Sequence, residues 1–234
     1  MLRASIILSG LVVTLGGGTA LRSTTPETVC LQSAVRAAKR TGVPFATLAT
    51  IALAESGRRV GKHFNPWPWT LNIAGRGAWF ATRAEARRAA EAELAEGRDA
   101  FDVGCFQINA HWHGAQFPSV DAMLDPQTNA LYAAQFLLSL YRQTGDWSLA
   151  AGAYHSQDPD EAAIYRARLS GIRAPAPPAA AKGPAPGPLI ARDTTQPLLM
   201  PPMTQMAQDP MLGSLFPLPD KADLPPPDRR QWLG

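Results

Sequence analysis

Apolar residues recur at helical spacing through the middle of the chain. The clearest stripe lies in 126–144, where alanine, leucine and tyrosine side chains follow one another at intervals of three or four positions. A capping residue or proline precedes most of these segments, as at Asp125-Pro126, and glycine follows several of them, as at Gly145. The pattern predicts helices at about 26–41, 44–56, 83–97, 126–144, 147–154 and 159–170.

Strand patterns are sparse. Only Leu71-Asn72-Ile73 and Cys105–Ile108 alternate apolar and polar residues, and together they predict one small hairpin. On an extended backbone, Gln107 and Asn109 would point to the same side. The predicted fold class is therefore mainly α, with a minor β hairpin.

The last part of the chain differs in composition. Fifteen of the 22 prolines lie in 171–234, which predicts a disordered, Pro-rich C-terminal tail after a folded domain at 21–170. Short apolar clusters such as Leu198-Leu199-Met200 interrupt the tail. They are either docking motifs for a partner protein or parts of an inert spacer.

The N-terminus has the pattern of a secretory signal peptide at residues 1–20. A positive start at Arg3 precedes an apolar stretch, and small residues at Gly18 and Ala20 suit a signal peptidase. The alternative is an uncleaved anchor. The sequence predicts export to the periplasm.

Charge and hydropathy exclude two classes of protein. The net charge of the chain is only +3, and the basic residues are not clustered, so nucleic-acid binding is not expected. No apolar run of 18 residues occurs beyond the N-terminus, which excludes a protein with several membrane spans.

The two cysteines of the chain, Cys30 and Cys105, both follow the predicted signal peptide. In an oxidising compartment they predict one disulfide, with two separate buried thiols as the alternative.

The strongest candidate for chemistry is Glu55, at the end of the apolar helix 44–56. Burial raises the pKa of a carboxyl group, so such a residue can stay protonated near neutral pH and donate a proton to a leaving oxygen. The alternative is a solvated glutamate, although the helix dipole opposes a negative charge at this end.

Two further stretches place polar side chains together. Gln107 and Asn109 flank Ile108, and amides suit sugar hydroxyl and acetamide groups because they both donate and accept hydrogen bonds. Further on, Ala153-Tyr154-His155-Ser156 brings a phenol, an imidazole and a hydroxyl to the end of a short helix.

These stretches resemble, in order, the motifs of the soluble lytic transglycosylases, a goose-lysozyme-like family. The matching residues are Glu55-Ser56, Gly104-x-x-Gln107-Ile108-Asn109, Asn129-x-x-x-Ala133 and Ala153-Tyr154-His155, within about 44–165. The resemblance implies a lysozyme-like (goose-type) helical domain. It also implies cleavage of the β-1,4 bond between N-acetylmuramic acid and N-acetylglucosamine in peptidoglycan, with 1,6-anhydro products.

The resemblance also implies roles for individual residues. Glu55 would act first as acid and then as base, and Ser56 and Gln107 would orient it or the substrate. Asn109 and Tyr154 would line the central subsites, with the Tyr154 phenol close enough to hydrogen-bond Glu55. A hydrolytic muramidase would need a second carboxylate. Asp99 and Asp102 are the candidates, but we interpret both as loop or turn residues.

Two features depart from the family pattern. His155 replaces the usual asparagine, and as an imidazole it would change charge near neutral pH. The long segment 57–104 contains Pro-Trp-Pro-Trp-Thr-Leu-Asn at 66–72, which resembles the specialised flagellar lytic transglycosylases of α-proteobacteria. Trp67 and Trp69 would either extend the cleft or pack against the inserted helix.

The expected partners are peptidoglycan glycan strands and, through 171–234, a flagellar rod or secretion-system protein. We expect a monomer without cofactor. His111 and His113, with His155, have no acidic partner in the pattern, so no metal site is expected. The alternatives to a transglycosylase are a hydrolytic muramidase and a catalytically weak glycan-binding scaffold.

Overall fold

The computed structural model describes residues 25–178, and these residues are mainly helical. The α-helices of this region are α1 (Pro26–Thr41), α2 (Phe45–Ser56), α3 (Arg83–Ala95), α4 (Ala110–His113), α5 (Val120–Leu124), α6 (Pro126–Thr144), α7 (Trp147–His155) and α8 (Pro159–Ser170). The predicted fold class is confirmed. The signal peptide predicted at 1–20 and most of the predicted tail lie outside the described residues.

Local capping signals define most helix starts. Asp125 accepts a hydrogen bond from the Thr128 backbone N–H at the start of α6. Thr82 and Glu85 form the reciprocal capping box at the start of α3. No helix within residues 25–178 is long and apolar enough to cross a membrane.

The β structure is larger than the predicted hairpin. Strands β1 (Gly57–Val60) and β2 (His63–Pro66) form one hairpin directly after α2. A second antiparallel sheet has the order β4-β3-β5-β6 and consists of β3 (Thr70–Ile73), β4 (Arg76–Trp79), β5 (Phe101–Val103) and β6 (Ile108–Asn109). The predicted strand at Cys105–Ile108 is wrong over most of its length, because residues 104–107 form a turn.

Helix α2 lies at the centre of the packing. Every residue from Ile51 to Ser56 is buried, and α2 contacts α1, α7, α8 and both strands of the first hairpin. A helix that is buried on all sides belongs to the core, and the final turns of α2 are of this kind. Burying one leucine such as Leu48 contributes about 1.5–3 kcal/mol, so the position of α2 is strongly fixed.

The predicted disulfide is confirmed. Cys30 on α1 bonds to Cys105 in the turn after β5, with 5.6 Å between the Cα atoms. Cys105 also accepts a hydrogen bond through its carbonyl from Ser56 Oγ at 2.8 Å. The disulfide thus holds α1, the turn and the end of α2 together.

Replacing both Cys30 and Cys105 by alanine should lower the free energy of unfolding by about 4 kcal/mol, because the loop closed in the unfolded chain spans 75 residues. Urea denaturation measures the change. Reductant should destabilise the parent protein by a similar amount and leave the double variant unaffected. The prediction would be contradicted if neither the double substitution nor reductant changed the urea midpoint relative to the untreated parent.

Candidate active site

Glu55 is a buried acid at the penultimate position of α2, with 3% of its surface exposed. Because the helix end is enclosed by protein, water cannot solvate a carboxylate there. Burial raises the pKa of Glu55 from its ordinary 4.5 to about 7. The group is therefore close to half protonated at neutral pH, which suits a residue that must both donate and accept a proton.

Helix α8 supplies the contacts that hold this carboxyl group. The Tyr165 phenol donates a hydrogen bond to Glu55 Oε1, which lowers the pKa of Glu55 against the larger effect of burial. The Arg168 charge acts in the same direction, and its Nη2 donates to the Ala54 carbonyl at 2.7 Å. Within residues 25–178, Glu55 Oε2 has no hydrogen-bond partner. This oxygen is therefore the one left for a ligand.

Tyr154 does not make the hydrogen bond that the family resemblance implies for it. Its phenol donates to the Phe106 carbonyl at 2.8 Å, and Tyr165 bonds Glu55 instead. Tyr154 is nevertheless close enough for the Glu55 charge to raise its pKa, after the larger effect of burial. Tyr154 therefore fixes the turn that follows β5, beside the acid.

Gln107 is turned into the protein rather than along a strand. Its backbone has a φ of 47°, and its Nε2 donates to the carbonyls of Gly104 at 2.8 Å and Thr70 at 3.2 Å. The expectation that Gln107 and Asn109 extend from one strand on the same side is wrong, because these tertiary bonds close a turn at 104–107. The Gln107 side chain is fully buried.

Asn129, which belongs to the third motif, holds the same turn from α6. Its side chain accepts from the Phe106 N–H at 2.9 Å and donates to the carbonyls of Val103 and Met123. A Cβ at Gly104 would lie 2.8 Å from Asn129 Nδ2, and Gly104 has a φ of 84°. Glycine is therefore required at this position for both space and backbone conformation.

Ser56 and His155 complete the surroundings of Glu55. Ser56 Oγ lies 2.8 Å from the Cys105 carbonyl and 3.2 Å from the Ala52 carbonyl, so it ties α2 to the turn. The His155 ring stacks on Tyr165 at 4.2 Å and is buried. Burial, with help from the Arg168 charge, lowers the pKa of His155 to about 4. The expectation that His155 changes charge near neutral pH is therefore wrong.

Asp102 is a second buried carboxyl group, and the sequence interpretation of it as a loop residue is wrong. It lies in β5 between Asn72 of β3 and Asn109 of β6. Each asparagine donates from Nδ2 to one Asp102 oxygen at 2.9 Å. Burial raises the pKa of Asp102 to about 7, and the Glu55 charge adds to the effect. The Asp99 side chain, in contrast, is half-exposed and bonds His111.

The two predicted tryptophans lie mainly in the interior. Trp67 is 7% exposed, and its Nε1 donates to the Phe80 carbonyl at 2.6 Å. The Arg58 guanidinium covers the Trp67 ring at 4.4 Å. Trp69 is half-buried and meets Trp67 edge to face at 6.0 Å. Both rings therefore pack within the domain, through contacts with Phe80, Arg58 and each other.

Sequence reasoning missed Tyr165 and underrated Asp102. Tyr165 shares the buried face of α8 with Ala162, three positions earlier, and this spacing indicates only that it faces the core. For Asp102, the adjacent Phe101 and Val103 give an apolar–polar–apolar pattern typical of a strand. That pattern could have identified the strand, although not the two asparagines beside it.

The helical domain, with an acid at the end of its buried central helix, has the lysozyme-like architecture. A sequence model of the transglycosylase SLT domain matches residues 32–159, which is more than half of the chain. The chain belongs to this family. Searches of curated proteins and of solved structures found no match. Tyr165 lies beyond the matched residues.

Proposed function

We propose that this protein is a lytic transglycosylase that cleaves the β-1,4 bond between N-acetylmuramic acid and N-acetylglucosamine in peptidoglycan. The observation that carries the proposal is Glu55: a buried carboxyl group whose pKa is raised to about 7, with one oxygen bonded by Tyr165 and the other, within residues 25–178, without a hydrogen-bond partner. Membership of the transglycosylase SLT domain family supports the same reaction.

The reaction needs one carboxyl group in two roles. Protonated Glu55 donates its proton to the glycosidic oxygen as the bond from that oxygen to the muramic C1 breaks. The resulting carboxylate accepts the proton of the muramic C6 hydroxyl as that oxygen bonds to C1. The product is a 1,6-anhydro sugar, no water is consumed, and Glu55 ends protonated as it began. A pKa near neutrality suits both steps.

The remaining residues of the site act on Glu55 or on the sugar. Ser56 and Gln107 fix the end of α2 and the turn opposite it. Asn109, Tyr154 and His155 complete the proposed subsites beside Glu55. Asn109 is half-buried, and its Oδ1 accepts the Trp112 N–H while its Nδ2 bonds Asp102.

The proposed location is the periplasm, and the proposed task is local opening of the wall for an envelope-spanning machine. The predicted signal peptide at 1–20 and the disulfide, which persists in oxidising compartments, support the location. A flagellum is the first candidate machine, on the resemblance at 66–72, and a secretion system is the second. The tail at 171–234 would dock the enzyme to it. Deleting the tail should then abolish localisation at the machine.

The mass of the products tests the reaction. Residues 21–234 are incubated with purified peptidoglycan, and the soluble fragments are analysed by mass spectrometry. A transglycosylase releases anhydro-muropeptides, whereas a muramidase releases fragments heavier by one water. Bound glycan without any product would favour the glycan-binding scaffold and contradict the proposal.

One observation favours the hydrolytic muramidase as a second candidate. Asp102 is a second buried carboxyl group, and the charge of Glu55 contributes to raising its pKa. Hydrolysis with two carboxylates would require Asp102 to be ionised or to activate water. If Asp102→Asn abolishes products that carry an added water, the protein is a hydrolase. Anhydro products from both the parent and Asp102→Asn would exclude this role.

A further inference from the structure

Two large aromatic side chains are exposed on the hairpins that follow α2. Phe64, in β2, is 47% exposed, and Trp79, in β4, is 44% exposed. Both belong to the segment between the first two family motifs. Aromatic rings of this size are more often placed inside a protein, and exposed apolar patches commonly mark sites that bind ligands or partners. We refer to Phe64 and Trp79 together as the aromatic surface.

Both rings contact the residues that directly follow Glu55. Trp79 Nε1 donates to the Ser56 carbonyl at 3.3 Å. The Phe64 ring lies against the Gly57 backbone, since a Cβ at Gly57 would be only 2.2 Å from Phe64 Cζ. Any side chain at position 57 would displace the Phe64 ring. The aromatic surface is therefore continuous with the end of α2 that carries the acid.

One part of the Trp79 ring is exposed because the neighbouring residue on the same face of the strand is a glycine, which has no side chain to cover it. Gly77 lies two positions before Trp79 in β4, so the two residues face the same side of the strand. A Cβ at Gly77 would meet the six-membered ring of Trp79 at 3.6–4.0 Å, which is ordinary contact distance. With glycine there, that part of the ring stays open to a ligand.

The charge beside the aromatic surface indicates what kind of ligand it takes. The exposed Arg59 places its guanidinium 5.9 Å from the centre of the Phe64 ring. A peptidoglycan strand combines sugar rings, whose C–H faces pack on aromatic rings, with the carboxylates of its peptide stems. An aromatic surface next to an exposed cation matches both features.

We propose that Phe64 and Trp79 bind sugar rings of the peptidoglycan strand next to the bond that is cleaved. This inference rests on the proposed function. The aromatic surface takes the role that the sequence offered to Trp67 and Trp69, whose rings the fold uses mainly for packing. It extends the site from the acid onto the two hairpins.

Binding to insoluble peptidoglycan tests this assignment. Residues 21–234 carrying Glu55→Gln are used, so that no cleavage occurs during a cosedimentation titration. Adding Trp79→Leu should weaken binding about tenfold, since an aromatic contact is lost. Trp79→Phe keeps a ring but removes the bond to Ser56, and it should stay within about twofold of the parent. Leu149→Ala is the matched control, because Leu149 is also 44% exposed but lies on α7.

Gly77→Leu is an independent test of the same contact, because the added side chain covers the Trp79 ring while Trp79 itself stays in place. It should weaken binding about as much as Trp79→Leu. In the active chain, Trp79→Leu should raise KM and leave kcat within about threefold, as expected when ground-state and transition-state binding fall together.

Three results would overturn the inference. Unchanged binding by Trp79→Leu would show that the ring does not contact glycan. Equal losses for Trp79→Phe and Trp79→Leu would show that Trp79 acts through the Ser56 bond. Equal losses for Leu149→Ala would show a nonspecific effect. Failure of the proposed function is distinguishable, since it appears as a parent enzyme that releases no anhydro-muropeptides.

Discussion

Glu55→Gln should lower kcat on peptidoglycan by about 10³-fold, the largest effect expected of any single substitution in the site. Glutamine has nearly the shape of glutamic acid and keeps an oxygen that can accept the Tyr165 hydrogen bond. It cannot donate a proton to the glycosidic oxygen or accept one from the C6 hydroxyl. Release of soluble muropeptides, followed over time, measures the loss.

Glu91→Gln is the matched control, because Glu91 is a surface residue of α3 that pairs with Arg87. It should leave kcat unchanged. Activity of Glu55→Gln within tenfold of the parent would contradict the assignment of the acid.

A thermal unfolding series separates chemistry from folding. The folded-state pKa of Glu55 is raised, so its contribution to stability is complete below pH 4.5 and is lost as the pH rises through about 7. Glu55→Gln should therefore unfold at no lower temperature than the parent at pH 8.

The helices of this protein can be predicted from the sequence because the signals that start them are local. The Thr82 and Glu85 capping box and the Asp125-Pro126 start of α6 are short patterns, and both appear in the structure as predicted. Glu55 belongs to the same category. It ends an apolar helix, which favours burial, and its raised pKa follows from the burial that the structure shows.

Contacts between distant parts of the chain explain what the sequence did not reveal. Tyr165 reaches Glu55 across 110 residues, and no local pattern distinguishes it from Tyr154, which was expected to make that bond. Gln107 was expected in a strand because its neighbours alternate, yet its bonds to Gly104 and Thr70 hold a turn. The two asparagines that bond Asp102 are 30 and 7 positions away in the sequence, so no local pattern indicates that they hold its carboxyl group.

Tyr165→Phe should move the alkaline limb of the pH–rate profile to higher pH and lower kcat by about tenfold. Glu55 must be protonated to act as the acid, so activity falls as the pH rises through its pKa of about 7. The Tyr165 hydrogen bond favours the carboxylate and therefore lowers this pKa. Without the phenol, the pKa of Glu55 rises, and a weaker, less well oriented acid remains active to higher pH. The dependence of kcat/KM on pH, measured between pH 5 and 9, reports the shift.

Tyr154→Phe is the matched control, because it removes a similarly buried phenol that bonds the Phe106 carbonyl instead of Glu55. It should reduce stability by loosening the turn at 104–107, while its alkaline limb stays where the parent has it. The opposite pattern, a shift for Tyr154→Phe and none for Tyr165→Phe, would mean that Tyr154 bonds the acid in the working enzyme, as the family resemblance implied. A merely structural role for Tyr165 would lower stability and rate without moving the limb, so the direction of the shift decides whether α8 tunes the acid or only supports it.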